Sequence, residues 1–156
     1  MRNFRKQILH FLEQEDFDKN LKEIHKFPTQ KSLNALFATL CSSDEKIKRN
    51  TTIAMGEIVS KIAENDIESA RGIMRRLLWS LNEESGWIGW GSAEAMAEIM
   101  VRNNDLAQEY HKFLISYISE GDNYLLFEEL RKEVVVGLRR LSQVHPHLVK
   151  EVHHLL

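Results

Sequence analysis

The sequence predicts an all-α fold: an α-solenoid, or α-α superhelix, in which helical hairpins lie side by side between short capping helices. Three observations predict it. Apolar residues recur at helical spacing along nearly the whole chain, with no useful alternating β-branched run and only two prolines, Pro28 and Pro146. One apolar pattern repeats at intervals of 41 and then 42 residues. Each copy is preceded by a matched aliphatic pair: Leu36/Leu40, Leu77/Leu81 and Leu114/Ile118.

The first copy is Ile47, Thr51, Thr52, Ala54 and Met55, the second Ile88, Ser92, Ala93, Ala95 and Met96, and the third Leu130, Val134, Val135, Gly137 and Leu138. A further aliphatic residue closes each: Ile58, Ile99 and Leu141. The first residue and those 4, 7, 8 and 11 places after it make one stripe of a 3.6-residue helix. The small residue at the seventh place lets a neighbouring helix come close. Helices are expected at about 2–13, 17–26, 30–41, 44–63, 67–81, 89–102, 105–119, 126–143 and 147–155, with core repeats over about 30–143 of a single 1–156 domain. Asp44, Asp66 and Asp105 suit N-caps or first turns, and the two prolines suit places just before helices.

This pattern resembles HEAT repeats, whose second helix reads roughly Asp-x-x-Val-Arg-x-x-Ala-Ala-x-Ala-Leu-Gly. The stretch from Asp44 to Gly56, DEKIKRNTTIAMG, follows that line; the second copy departs at Gly89, where the family favours Arg, and the third at Arg139, where it favours Gly. Through RRLLWSLNEESGWIGWGSAEAM, the chain is also similar to a small family of short bacterial HEAT-like proteins of unassigned activity. The resemblance implies stacked HEAT-like hairpins with atypical ends and carries over no catalytic residue.

Composition narrows the function class. Apolar residues make up 43% and charged residues 28%, which is globular rather than disordered. The net charge of −2 lacks the basic excess of a protein that lives on phosphate contacts, so nucleic acid is disfavoured as a partner. A single cysteine, Cys41, fits a reducing compartment. No apolar run approaches bilayer length and no secretory h-region opens the chain, so a cytoplasmic protein without a membrane partner is expected.

The candidate site is the Trp–Gly segment, WSLNEESGWIGWG from Trp79 to Gly91, which holds all three tryptophans. Structurally, Trp79 could be core and the glycines could simply let bulky indoles pack. Functionally, Gly89 and Gly91 weaken a helix start and expose N–H groups there, while Glu83 and Glu84 oppose a free anion. That favours a peptide-like or zwitterionic partner. The expected groove has Trp90 at its centre. Trp87, Asn82 and Glu83 form one rim, and Glu94 and Arg139 stand within hydrogen-bonding distance. It lies on an outward ladder of Arg49, Ile53 and Gly56, then Trp90, Glu94 and Ala97, then Lys132, Val136 and Arg139. The longer third loop, with Asn123, Tyr124 and Phe127, either folds back on the core or forms a second wall.

Weaker signals read as structure. His145, His147, His153 and His154 have neither a cysteine partner nor an HExxH spacing, so no metal is expected. Glu83/Glu84 and Glu128/Glu129 diverge as adjacent residues, Cys41 reads as a small structural residue, and Arg75/Arg76 and Arg139/Arg140 as solvated charge. The expectation is a non-enzymatic scaffold binding a protein or peptide, with no cofactor. The alternatives are an accessory or catalytic protein acting on a small ligand, since similar repeats occur in lyases that attach bilins, and a nucleic-acid binder, as in HEAT-like glycosylases.

Overall fold

The computed structural model describes residues 2–82 and 89–156. Their regular elements are all helices, with no strand among the described residues. In order, the chain forms α1 (Arg2–Glu13), a 3₁₀ segment (Phe17–Lys26), α2 (Thr29–Thr39), α3 (Glu45–Asn65), α4 (Ile67–Ser80), α5 (Ser92–Arg102), α6 (Asn104–Ile118), α7 (Glu128–Val144) and a C-terminal 3₁₀ segment (Pro146–Leu155). Asp44 accepts the Lys46 and Ile47 N–H groups at 2.9 and 3.2 Å, and Asp66 accepts that of Ser69 at 3.1 Å. The cap of α6 is Asn103, on the Leu106 N–H, and Asp105 takes the first turn.

The two 3₁₀ segments are wound more tightly than the expected α-helices. Their apolar residues explain why: Leu21, Ile24 and Phe27, and later Val149 and Val152, recur every third residue. A 3₁₀ helix brings such a row onto one face, where it meets the core.

Helices α2/α3, α4/α5 and α6/α7 pack as consecutive pairs, and α3 also packs on α5 and α5 on α7. The repeated stripe points inward as its spacing requires: Thr51, Ala54, Met55 and Ile58, then Ser92, Ala95, Met96 and Ile99, then Val134, Leu138 and Leu141 are buried. Ile47 and Leu130 are buried at their equivalent places, whereas Ile88 lies outside the described residues. A polar detail repeats too. The Thr39 hydroxyl accompanies that of Thr51 at 2.8 Å, and 41 residues on Ser80 accompanies Ser92 at 2.6 Å. In both hairpins this hydroxyl pair joins the end of one helix to the start of the next.

The order of contacts fixes the direction of α3, α5 and α7. Lys48 and then Gly56 of α3 meet Glu133 of α7 and Glu98 of α5, while Glu133, Gly137 and Arg140 of α7 meet Gly91, Ala93/Ala97 and Glu98 in turn. The contacts advance together, so the three helices run parallel. Close approach needs small residues here: a methyl on Gly56 would sit 2.8 Å from the Glu98 Cβ and carbonyl oxygen. Gly56 and Ala97 are therefore buried between helices, not presented outward as the ladder had them.

The largest departure from expectation is at the start of α5. The helix begins at Ser92 rather than 89, so Trp90 and Gly91 precede it. Gly89 and Gly91 adopt φ +60° and +79°, left-handed values that interrupt an α-helix and that glycine tolerates best. Trp79 is not core; Leu77 and Leu81 take the inward places, leaving its indole 57% exposed. Cys41 is exposed as well. No helix among the described residues is long and apolar enough to cross a membrane.

Candidate functional site

A groove of about 750 Å³ runs across α3, α5 and α7. Its middle is formed by one repeat position in each helix, Ile53, Glu94 and Val136, with Thr52 and Gly137 beside them. Arg49 and Glu45 line it from α3, Glu98 and Arg102 from α5, and Arg140 from α7. Helix α5 is buried almost all round, and Glu94 is the one residue of its first turn that lines this opening.

At one end, the late start of α5 leaves room for a bridge between α3 and α7. The Lys48 ammonium pairs with Glu133, whose other oxygen accepts the Gly91 N–H at 2.8 Å. A carboxylate there also suits the positive end of the helix. Burial alone would lower the Lys48 pKa, but the hydrogen bond and charge of Glu133, with Glu94 and Glu45 behind, leave it raised above its usual value. At the other end, Glu98 accepts from Arg102 at 2.8 Å and Arg140 at 2.9 Å. Arg102 also lies 3.7 Å from Glu57, which meets Lys22 at 2.8 Å and His25 at 2.9 Å. Burial raises the Glu57 pKa, yet these hydrogen bonds and charges hold it below the usual carboxylate range.

Glu94 differs from its neighbours. Among the described residues its carboxyl group has no hydrogen-bond or ion-pair partner. Burial raises its pKa, the nearby Glu133 charge raises it further, and Lys48 only partly offsets them; Glu45 and Glu98 add to the rise, to about 7.

The residues expected to share one site divide into several places. Of those among the described residues, only Glu94 lines the groove. Trp90 is half-buried against the core and does not line the groove; the Phe127 ring lies 5.5 Å away and the Lys48 ammonium 5.7 Å above its own ring. Arg139 turns away and donates to the Leu156 carbonyl at 2.6 Å; Arg140 takes the groove instead. Asn82 and Tyr124 line a separate cleft of about 700 Å³ between α4, α6 and the third loop, with Trp79, Phe113 and the 75% exposed Leu126. Arg131 stacks over the Tyr124 ring at 4.8 Å. The loop therefore walls a different concavity from the one expected. Glu83 and Trp87 lie outside the described residues.

The sequence carries a signal for these charges too: the buried Glu57 and Glu98 and the partly exposed Arg140 occupy the same place in the three repeats, one residue before Ile58, Ile99 and Leu141. Among the described residues no three of His, Cys, Asp and Glu gather to hold a metal ion; the His145 and His147 rings stand edge-on, 6.2 Å apart.

Because Trp90 packs rather than projects, Trp90→Ala is expected to cost about 2 kcal/mol of stability, below the 3–5 typical of a fully buried aromatic. Urea denaturation checks this, and an unchanged midpoint would contradict the packing role. Against models of protein families, curated proteins and solved structures, the chain shows no match.

Proposed function

We propose that this chain is a non-enzymatic, HEAT-like α-solenoid scaffold that binds a protein or peptide partner along the face of α3, α5 and α7. The observation that carries the reading is the groove itself: one repeat position from three parallel helices supplies its middle, and two of those three residues are apolar. Val136 is 47% exposed and Ile53 half-buried, where a merely solvated face would be polar. Concave faces built from equivalent positions are what stacked repeats use for binding. The carboxylates of Asp18, Glu45, Glu94 and Glu98 along the groove disfavour a phosphate backbone there.

Affinity capture with quantitative mass spectrometry tests the reading, using wild type, an Ile53→Ser/Val136→Ser double variant and a Trp79→Ser variant of the separate cleft. Both sites are at least partly exposed, so both variants should stay folded by circular dichroism. The expected result is a set of partners held by wild type and Trp79→Ser and lost by the groove variant. Partners that survive the groove variant, or that depend on Trp79 instead, would overturn the assignment.

A further inference from the structure

The charges lining the groove do not balance within it. Arg49 is taken by Asp18 at 3.3 Å, Arg102 and Arg140 by Glu98, and Lys48 just outside by Glu133. Two carboxylates remain, Glu94 in the middle and Glu45 at the edge, neither with an ion-pair or hydrogen-bond partner among the described residues. Both line the groove, and the Glu45 charge contributes to the rise of the Glu94 pKa. Among the described residues, each arginine lining the groove already has a carboxylate partner, Arg102 and Arg140 sharing Glu98, so an acidic segment would compete with an existing ion pair. A wholly apolar one would strip water from a carboxylate without replacing its hydrogen bonds. A basic side chain supplies both the missing charge and the donors, and its methylene stem suits the aliphatic surface of Ile53 and Val136.

We propose that the groove seats one lysine or arginine side chain of its peptide partner, the cationic head between Glu94 and Glu45 and the stem against Ile53 and Val136. This rests on the docking face described above and names what that face recognises. Seating requires Glu94 to be ionised. The groups facing it are Lys48 and Glu45 on α3, Glu98 on α5 and Glu133 on α7, and with a pKa of about 7 it is mostly neutral in mild acid and mostly charged in mild base. Binding therefore strengthens as pH rises through neutrality. From pH 6 to pH 8 the ionised fraction climbs from about one tenth to about nine tenths, so apparent affinity rises up to about ninefold.

The test is a titration of the full chain, with its Ile and Val methyl groups labelled, by acetyl-Ala-Lys-Ala-amide, acetyl-Ala-Arg-Ala-amide and the peptide whose lysine is ε-acetylated, at pH 6 and pH 8. Expected are shifts of the Ile53 and Val136 methyls with the two cationic peptides, several-fold tighter at pH 8, abolished in Glu94→Gln and absent with the acetylated peptide. Equal binding of the acetylated peptide, an affinity independent of pH, or binding unchanged in Glu94→Gln would each overturn the proposal. So would spermidine binding as tightly as the peptides, because the site would then recognise a free amine. If the cationic peptides fail here while the Ile53→Ser/Val136→Ser variant still loses its partners, the docking face stands and only its cationic specificity falls. If those partners are retained, the face itself is wrong.

Discussion

Glu94→Gln is expected to stabilise the folded chain by up to about 3 kcal/mol at pH 8 and to leave it unchanged at pH 4. The sign follows from the direction of the shift. The Glu94 pKa is raised from 4.5 to about 7, by burial first and then by Glu133. Below about 4.5 the carboxyl is protonated in both folded and unfolded chains and contributes no pH dependence. Between about 4.5 and 7 the unfolded chain has released a proton that the folded chain keeps, so rising pH erodes stability. Above 7 both are ionised and the cost is complete. Glutamine keeps the shape and never takes the charge, so the difference between variant and wild type isolates this one group from the other carboxylates. The figure is an upper bound, because the side chain retains some contact with water. Urea denaturation of both proteins from pH 4 to pH 8 measures it; a constant difference across that range would show that Glu94 titrates normally. A carboxylate held at such a cost, with no hydrogen-bond or ion-pair partner among the described residues, fits a site completed from outside the fold.

The part of the molecule legible in the sequence was the part governed by periodicity. Met55, Met96 and Leu138 are buried at one repeat position, and Ile58, Ile99 and Leu141 at another, because a stripe at helical spacing has one inward face. Asp44 and Asp66 cap helices as their residue types suggest. What the pattern could not carry is any place where the backbone leaves the helix or where one residue of rotation matters. Projecting the repeat backwards through Gly89 and Gly91 assumed a helix that left-handed backbone interrupts, and so placed Trp90 in the groove. Taking Arg139 rather than Arg140 was an error of one residue, about 100° of turn, enough to exchange a side chain bound to Leu156 for one bound to Glu98. The Glu98 carboxylate sits between Arg102 of its own helix and Arg140 of α7, so its burial follows from the packing of two helices distant in sequence and not from local sequence alone.

Gly91→Ala is the backbone counterpart of the Glu94 experiment, with an expected loss of about 2–5 kcal/mol. At φ +79° an L-residue is strained by about 1–2 kcal/mol. The new methyl would stand 2.7 Å from the Leu40 carbonyl oxygen and 3.2 Å from the Leu40 Cδ2, a backbone clash that adds roughly 1–3 kcal/mol. Gly89→Ala should behave alike, since its methyl would meet the Ser80 carbonyl oxygen at 2.5 Å. Two controls separate the causes. Gly121 has φ +146° with open space around it, so Gly121→Ala carries strain without a clash and should cost only about 1 kcal/mol. Gly72 lies inside α4, where an added methyl meets nothing closer than Arg75 at 3.9 Å, so Gly72→Ala should be neutral or stabilising by up to about 1 kcal/mol. Urea midpoints that rank Gly91→Ala with Gly121→Ala would show that Leu40 yields freely and that the turn is not wedged against α2. If the ranking holds, the clash can be relieved only by shifting Gly91, whose N–H holds Glu133, and Glu133 in turn holds Lys48. The two glycines before α5 then do more than end a helix: they set the position of the charges that face Glu94, and through them the electrostatics of the groove.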